Sequence, residues 1–195
     1  MHLNRAKTFE YYTKKKTIFY KERNEIKRAN YIEILGKHAE EKLVYIDESG
    51  IDKFISREHG WSARGDKIVG SVSGKRYARE SFIAGQLKNK IIAPLCYTGT
   101  CDSALFNFWL EMFLLPALGP GYVLVMDNAA FHKSETTRAL IEQAQCHLLF
   151  LPAYSPDLNP IEKFWANLKS KIKSIISQCL SLADAVDLAF RGAII

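Results

Sequence analysis

YVLVMD, residues 122–127, is an apolar run that stops on an aspartate, and LVYID, residues 43–47, has the same form. Short runs of Val, Leu, Ile and Tyr bounded by turn residues read as buried strands. Here Pro116, Gly119 and Pro120 supply the punctuation ahead of the second run. Working outward, SFIAGQL (81–87) and KIIAPLCYTG (90–99) read as two further strands, the second carrying Pro94 and so placed at an edge or a bulge. SALFNFWLEMFLL (103–115) is too long and too continuously apolar for one strand and reads as a buried helix, with Phe106, Phe108, Trp109 and Phe113 as core. A helix is expected over 133–145, a strand over CHLLFLP (146–152), and a last helix from Pro160 onward. Residues 20–41 look helical, with Tyr31, Ile32 and Leu35 on one face and Gly36 near a stop. This order predicts an α/β protein with a mixed central sheet flanked by helices.

Composition agrees with a folded chain. Its 195 residues, 48% hydrophobic and 25% charged, are enough to bury a sizeable core. No apolar run approaches the roughly 18–20 residues of a membrane helix, and the first residues offer no signal-peptide core, so a cytoplasmic protein with no membrane partner is expected. Cys96, Cys101, Cys146 and Cys179 form no C-x-x-C pair; they read as small buried hydrophobes rather than a zinc site with His147. Residues 1–42 hold eleven Lys or Arg against six Asp or Glu, whereas residues 43–195 hold sixteen against fifteen. The positive charge therefore sits at the front, as either a phosphate-binding arm or a solvated helix face.

Asp47 and Asp127 each end a strand-like run, where open α/β sheets tend to place ligands. Taken singly, such an acid reads first as a turn former or a helix cap. Glu162 is set apart by its surroundings, LPAYSPDLNPIEKFWANLKSKIK, residues 151–173. It follows Pro160 into the first turn of an amphipathic helix, with Asn159 as the expected cap; the helix dipole also favours an acid there, which keeps a purely structural role open. At 100° per residue Ile161, Trp165, Leu168, Ile172 and Ile176 form the buried stripe, with Glu162, Lys169 and Lys173 on the flank. Three carboxylates from separate elements repel unless a cation joins them, and an oxygen-only set suits Mg²⁺ or Mn²⁺. Two such ions are the usual apparatus of phosphodiester chemistry, with lysines holding the polyanion.

YIDESG around Asp47, VLVMDNAAFH around Asp127 and LPAYSPDLNPIEKFWANLK around Glu162 resemble the three signature blocks of DDE transposases, specifically bacterial insertion-sequence transposases of the mariner superfamily. Thirty-four residues separate Asp127 from Glu162, a spacing typical of that group, and HGWSARG (59–65) is similar to a Gly-Trp segment of the family. The resemblance implies an RNase H-like fold and two Mg²⁺ or Mn²⁺ ions held by Asp47, Asp127 and Glu162, with Asp47 bridging both. It also implies cleavage at transposon ends, joining of the freed 3′ hydroxyl to target DNA, and a dimer on DNA. Residues 43–195 are then the catalytic domain, and the basic helical residues 1–42, with Lys14, Lys15 and Lys16, resemble the connection to a missing DNA-binding domain. A separate helix-turn-helix chain is the expected partner. A plain RNase H-like nuclease and a non-catalytic DNA-binding remnant are the alternatives.

Lys169, Lys173, Arg64, Lys75 and Arg76 are the candidate DNA-binding residues. The last three belong to a basic run with Lys53, Arg57, Lys67 and Arg79 beside Trp61, which reads as a DNA-contacting ribbon or a solvated hairpin. His132 follows Asp127 closely enough to approach the site, although a helix-start hydrogen bond is the preferred reading; Asp157 is expected to form a turn, and Glu48 to point away from Asp47 if the strand continues.

Overall fold

The computed structural model describes residues 20–52 and 79–193. Strands β1 (Leu43–Asp52), β2 (Arg79–Leu87), β3 (Lys90–Thr98), β4 (Val123–Met126) and β5 (His147–Phe150) form one sheet in the order β3-β2-β1-β4-β5. β1 pairs antiparallel with β2 and parallel with β4, β2 antiparallel with β3, and β4 parallel with β5. The sheet is therefore mixed. Pro94 sits on edge strand β3, beside the register shift opposite Ile83 and Gly85 and next to Ala93, whose φ is 49°. An edge and a bulge both spare the ladder the N–H that proline lacks.

Period-two alternation divides β1 between two cores. Val44 and Ile46 pack with Ile83, Leu124, Met126 and the Phe106–Leu114 segment on one face. On the other, Leu43 joins Val123, Val125, Leu151 and Tyr31, and Ile51 joins Phe82, Ala84 and the last two helices. Those helices, α4 (Ile161–Ile175) and α5 (Leu182–Arg191), bury Ile161, Trp165, Leu168 and Ile172 against Leu182, Ala185, Val186, Ala189 and Phe190. Ile176 falls just past the end of α4 and is only half-buried.

Three expectations need correction. The first helix, α1 (Glu25–Leu35), is shorter than 20–41: the Asn24 side chain accepts from Lys27 N at 3.0 Å and fixes the start. Only Tyr31 of the expected face is fully buried, Leu35 is partly so, and Ile32 is exposed because it lies a further 100° around the helix. The second helix, α2 (Ser103–Trp109), passes into one π-helical turn, Leu110–Leu114, and a 3-10 turn, Leu115–Ala117. It covers the sheet with one face only. Phe106, Trp109, Leu110 and Leu114 are buried, while Phe108 and Phe113 point outward and touch each other, ring centroids 5.8 Å apart. Among the cysteines only Cys146 is buried; Cys96 is exposed and the other two are intermediate. Helix α3 (Glu135–Gln143) completes the α2 face. Among the described residues no helix is long and apolar enough to cross a membrane.

Candidate active site

The parallel pairing of β1 with β4 runs from Leu43 opposite Val123 to Tyr45 opposite Val125. Asp47 and Asp127 stand at equivalent positions two residues beyond that last pair. Both follow the parity of the face covered by α4. Glu162 comes to the same place from α4, and all three acids line one cleft of about 470 Å³. Asn128, Ser155, Asn159 and the rings of Tyr20 and Tyr154, 5.7 Å apart, line it too.

Each acid is fixed differently. The indole of Trp165, itself buried, donates from Nε1 to Asp47 Oδ2 at 3.1 Å. Trp165 lies one helical turn after Glu162, so this bond registers the start of α4 against β1. Asp127 Oδ1 accepts from Ala129 N at 2.8 Å and from the ring of His132, whose Nδ1 is 2.8 Å away. Glu162 stands exposed in the first turn of α4. Pro160 occupies the cap position with no side-chain cap, and Asn159 does not act as the expected cap: it is buried with its Oδ1 unpartnered among the described residues. Backbone bonds tighten the turn instead, with Leu158 N donating to Ser155 O and Asn159 N to Pro156 O. Asp157 of that turn holds a bidentate pair with buried Arg28 of α1, at 3.0 and 2.6 Å.

The electrostatics separate the two aspartates. Burial, then the charges of Glu48, Glu162 and Asp127, push the Asp47 carboxyl up to about 8. The bond from His132 holds Asp127 below the usual carboxylate range, against burial and with help from Ala129 N–H. For His132 burial opposes the charge, but hydrogen bonds to Asp127 and Glu48 outweigh it and lift the ring to about 9. Of the two readings of His132, approach to the site holds: its ring binds the Asp127 side chain rather than making a helix-start bond. Glu48 does point away from Asp47, and there it meets His132 Nε2 at 3.0 Å. No feature of the sequence announces that link, because Glu48 and His132 are joined only when the sheet brings them together.

Lys169 is half-buried beside Glu162 and Asp47; burial and then the nearby charge of Arg79 hold its pKa below the usual lysine value. Lys173 is exposed one turn further along. Arg79 lies over Gly50, where a Cβ would come within 2.7 Å of its Nε. Arg64, Lys75, Arg76, the rest of that basic run, Trp61, HGWSARG and Lys14 to Lys16 lie outside the described residues.

The acids offer oxygen donors only, and the like charges of Glu48, Glu162 and Asp127 weigh on Asp47, a chemistry that fits Mg²⁺ or Mn²⁺. Among the described residues, however, no three His, Cys, Asp or Glu side chains stand close enough together to hold an ion as they are.

The sequence pattern of DDE superfamily endonucleases matches residues 42–181, well over half of the chain. The chain belongs to the DDE superfamily endonucleases. Its relatives include transposases of the Tc1/mariner group. It is 28% identical to the Tc1 transposase of Caenorhabditis elegans over 155 residues, 72% of this chain and 55% of that protein. It is 30% identical over 146 residues to an uncharacterized 39 kDa protein of insertion element IS630 from Shigella sonnei, 69% of this chain and 39% of that one. The chain thus spans about half or less of the curated relatives it matches. Among solved structures it resembles the mariner Mos1 paired end complex with Mg, with a TM-score of 0.66 at 18% identity over 83% of this chain and 53% of that one. The Mos1 strand transfer complex gives 0.65, also at 18%, over 93% and 62%. The chain therefore has the RNase H-like fold that the sequence resemblance implies, with the mixed five-stranded sheet described above.

Proposed function

We propose that this chain is the catalytic part of a transposase that cuts DNA at transposon ends and joins the freed 3′ hydroxyl to target DNA. One observation carries the reading: Asp47, Asp127 and Glu162 come from three separate elements to line one cleft, and Asp47 is raised to about 8 by burial and the charges around it. In this reading the three acids hold two divalent ions, Mg²⁺ or Mn²⁺. When bound, such ions supply Lewis-acid activation of the attacking hydroxyl and stabilisation of the leaving oxygen. Asp47, the most buried of the three, must give up its proton to serve, and Trp165 keeps its carboxylate facing α4. Lys169, beside the acids, and Lys173, one turn on, hold the phosphate backbone, and Arg64, Lys75 and Arg76 extend that contact. Residues 43–195 form the catalytic domain and residues 1–42 the connection to DNA recognition, supplied by a helix-turn-helix chain; two copies act together on DNA. The likeness in fold to the Mos1 paired-end complex with a transposon end and to the Mos1 strand transfer complex supports the reading of action on transposon ends and of a joining step.

The decisive assay supplies pre-cut donor ends and target DNA with Mn²⁺. Wild type is expected to yield joined 3′ ends and Asp127→Asn none. Hydrolysis without joining would favour a plain nuclease. Salt-sensitive DNA binding unchanged by Asp127→Asn, with no cutting under any metal, would favour a non-catalytic remnant.

A further inference from the structure

Glu48 is an acid on the wrong side of its strand. Its neighbour Asp47 faces the cleft, so Glu48 faces the opposite core, among Val44, Ile46 and Ile83 on one side and α2 on the other. Its side chain is 17% exposed, and it meets His132, which is wholly buried. The His132 ring is packed between Phe106 and Phe131, with centroid separations of 4.4 and 4.3 Å, and spans from Glu48 Oε1 at 3.0 Å to Asp127 Oδ1 at 2.8 Å. An ionic chain buried for stability alone is a poor device, since well-packed apolar side chains would serve as well or better. Orientation is a different matter.

We propose that Glu48 and His132 are positioning residues that fix the Asp127 carboxylate for metal binding, acting from the far face of the sheet. The 3-10 turn Ala130–Lys133 carries His132 around the end of β4, so that its ring reaches Asp127 from behind the cleft. With both ring nitrogens facing carboxylate oxygens, the ring is clamped at two points and cannot rotate. Asp127 Oδ1 is committed to His132 and to Ala129 N, while Oδ2 has no hydrogen-bond partner among the described residues. One oxygen is therefore anchored and the other is left to the cleft that Asp127 lines. Glu48 never touches the ion in this arrangement; it sets the ring, and the ring sets the ligand. Outer hydrogen-bond partners of this kind typically change metal affinity by about 10–100-fold when removed.

This inference rests on Asp127 being a metal ligand, and the test separates the two. Mn²⁺ binding to the whole chain is measured by calorimetry for wild type, Glu48→Ala and Glu48→Gln, with thermal melting as the check on folding. Glu48→Ala should bind Mn²⁺ about tenfold more weakly or worse. Glu48→Gln, whose amide oxygen can accept the same Nε2–H, should recover most of that loss. A core substitution away from the cleft, Ile141→Val on α3, whose carbonyl accepts from Cys146 N just before β5, should lower the melting temperature yet leave Mn²⁺ affinity unchanged, which distinguishes positioning from general loosening. If Glu48→Ala does not fold, His132→Asn takes its place: it keeps a donor near the Nδ1 position but cannot reach Glu48, and the same weakening is expected. Wild-type affinity in the folded variant, or no recovery by Glu48→Gln, overturns the proposal while the metal site stands. A folded wild-type chain that binds no Mn²⁺ overturns the ligand reading of Asp127, and the positioning role with it.

Discussion

Asp47 and Asp127 stand at equivalent positions on adjacent parallel strands, two residues past the same ladder pair, yet their environments are opposite. Burial and three neighbouring carboxylates lift Asp47 to about 8, whereas His132 holds Asp127 below the ordinary range. Asp127 thus has a cationic ring hydrogen-bonded directly to it, whereas the side-chain hydrogen bond to Asp47 among the described residues is a neutral indole N–H. A carboxylate already matched by an internal charge stays ionised with or without a ligand. One surrounded by like charge ionises fully only when a cation arrives from outside. On the proposed reading, the asymmetry makes Asp47 the acid whose state would report metal binding.

The largest expected effect is on activity. Asp47→Asn and Asp127→Asn should each lower the rate of DNA cutting and joining by about three orders of magnitude or more, the order of the several kcal/mol that metal-assisted chemistry contributes. A variant of either that retains wild-type rates in Mn²⁺ would remove that residue from the site.

Next is stability without metal, where the two aspartates should part. An unfolded Asp loses its proton near pH 4, and folded Asp47 loses it near 8. Between those values the folded state holds the extra proton, so wild-type stability falls as pH rises across that window and levels off above it. Asp47→Asn lacks this decline. Its melting temperature should overtake that of wild type by at least about 3 °C by pH 8, and the gap should shrink towards pH 4. His132, lifted to about 9, adds stability that is complete below about 6.5 and lost as pH rises through 9, a decline that wild type and Asp47→Asn share. Asp127 works in the other sense: its lowered folded value contributes stability above about pH 4 that is lost on further acidification. Asp127→Asn should therefore gain nothing at pH 8. Equal pH profiles for the two variants would erase the contrast between the strands.

The strands, and the placing of the three acids around one cleft, were legible in sequence because they rest on local patterns: apolar runs that stop on an acid, and Pro160 before an amphipathic stripe. Trp165 was legible as core but not as the donor to Asp47, since its indole N–H finds that oxygen only once α4 crosses β1. Glu48 and His132 show the same limit. Strand parity put Glu48 on the far face, and only the sheet and the turn after β4 brought the ring to it. Phe108 and Phe113 mark the reverse failure, where a continuously apolar helix gave no sign of which side would be covered. Arg28 and Asp157 lie 129 residues apart, and nothing in either segment announces the pair that steadies the turn before Glu162.

The smallest of these effects tests the weaker anchor. Trp165→Phe keeps an aromatic ring against Phe82, 5.0 Å away in the native packing, and removes only the N–H that reaches Asp47. The lost bond should cost about 1 kcal/mol, or roughly 2–4 °C in melting temperature for a chain of this size. Activity should fall by about tenfold, far less than in Asp47→Asn, because the ligand remains and only its orientation and the seat of α4 are loosened. Should cutting proceed at the wild-type rate despite the lower melting temperature, the indole merely fills the core and Asp47 is oriented by the ion alone. A rate that drops with unchanged stability would make Trp165 to Asp47 what His132 is to Asp127: one anchoring side chain for each aspartate, charged for one and neutral for the other.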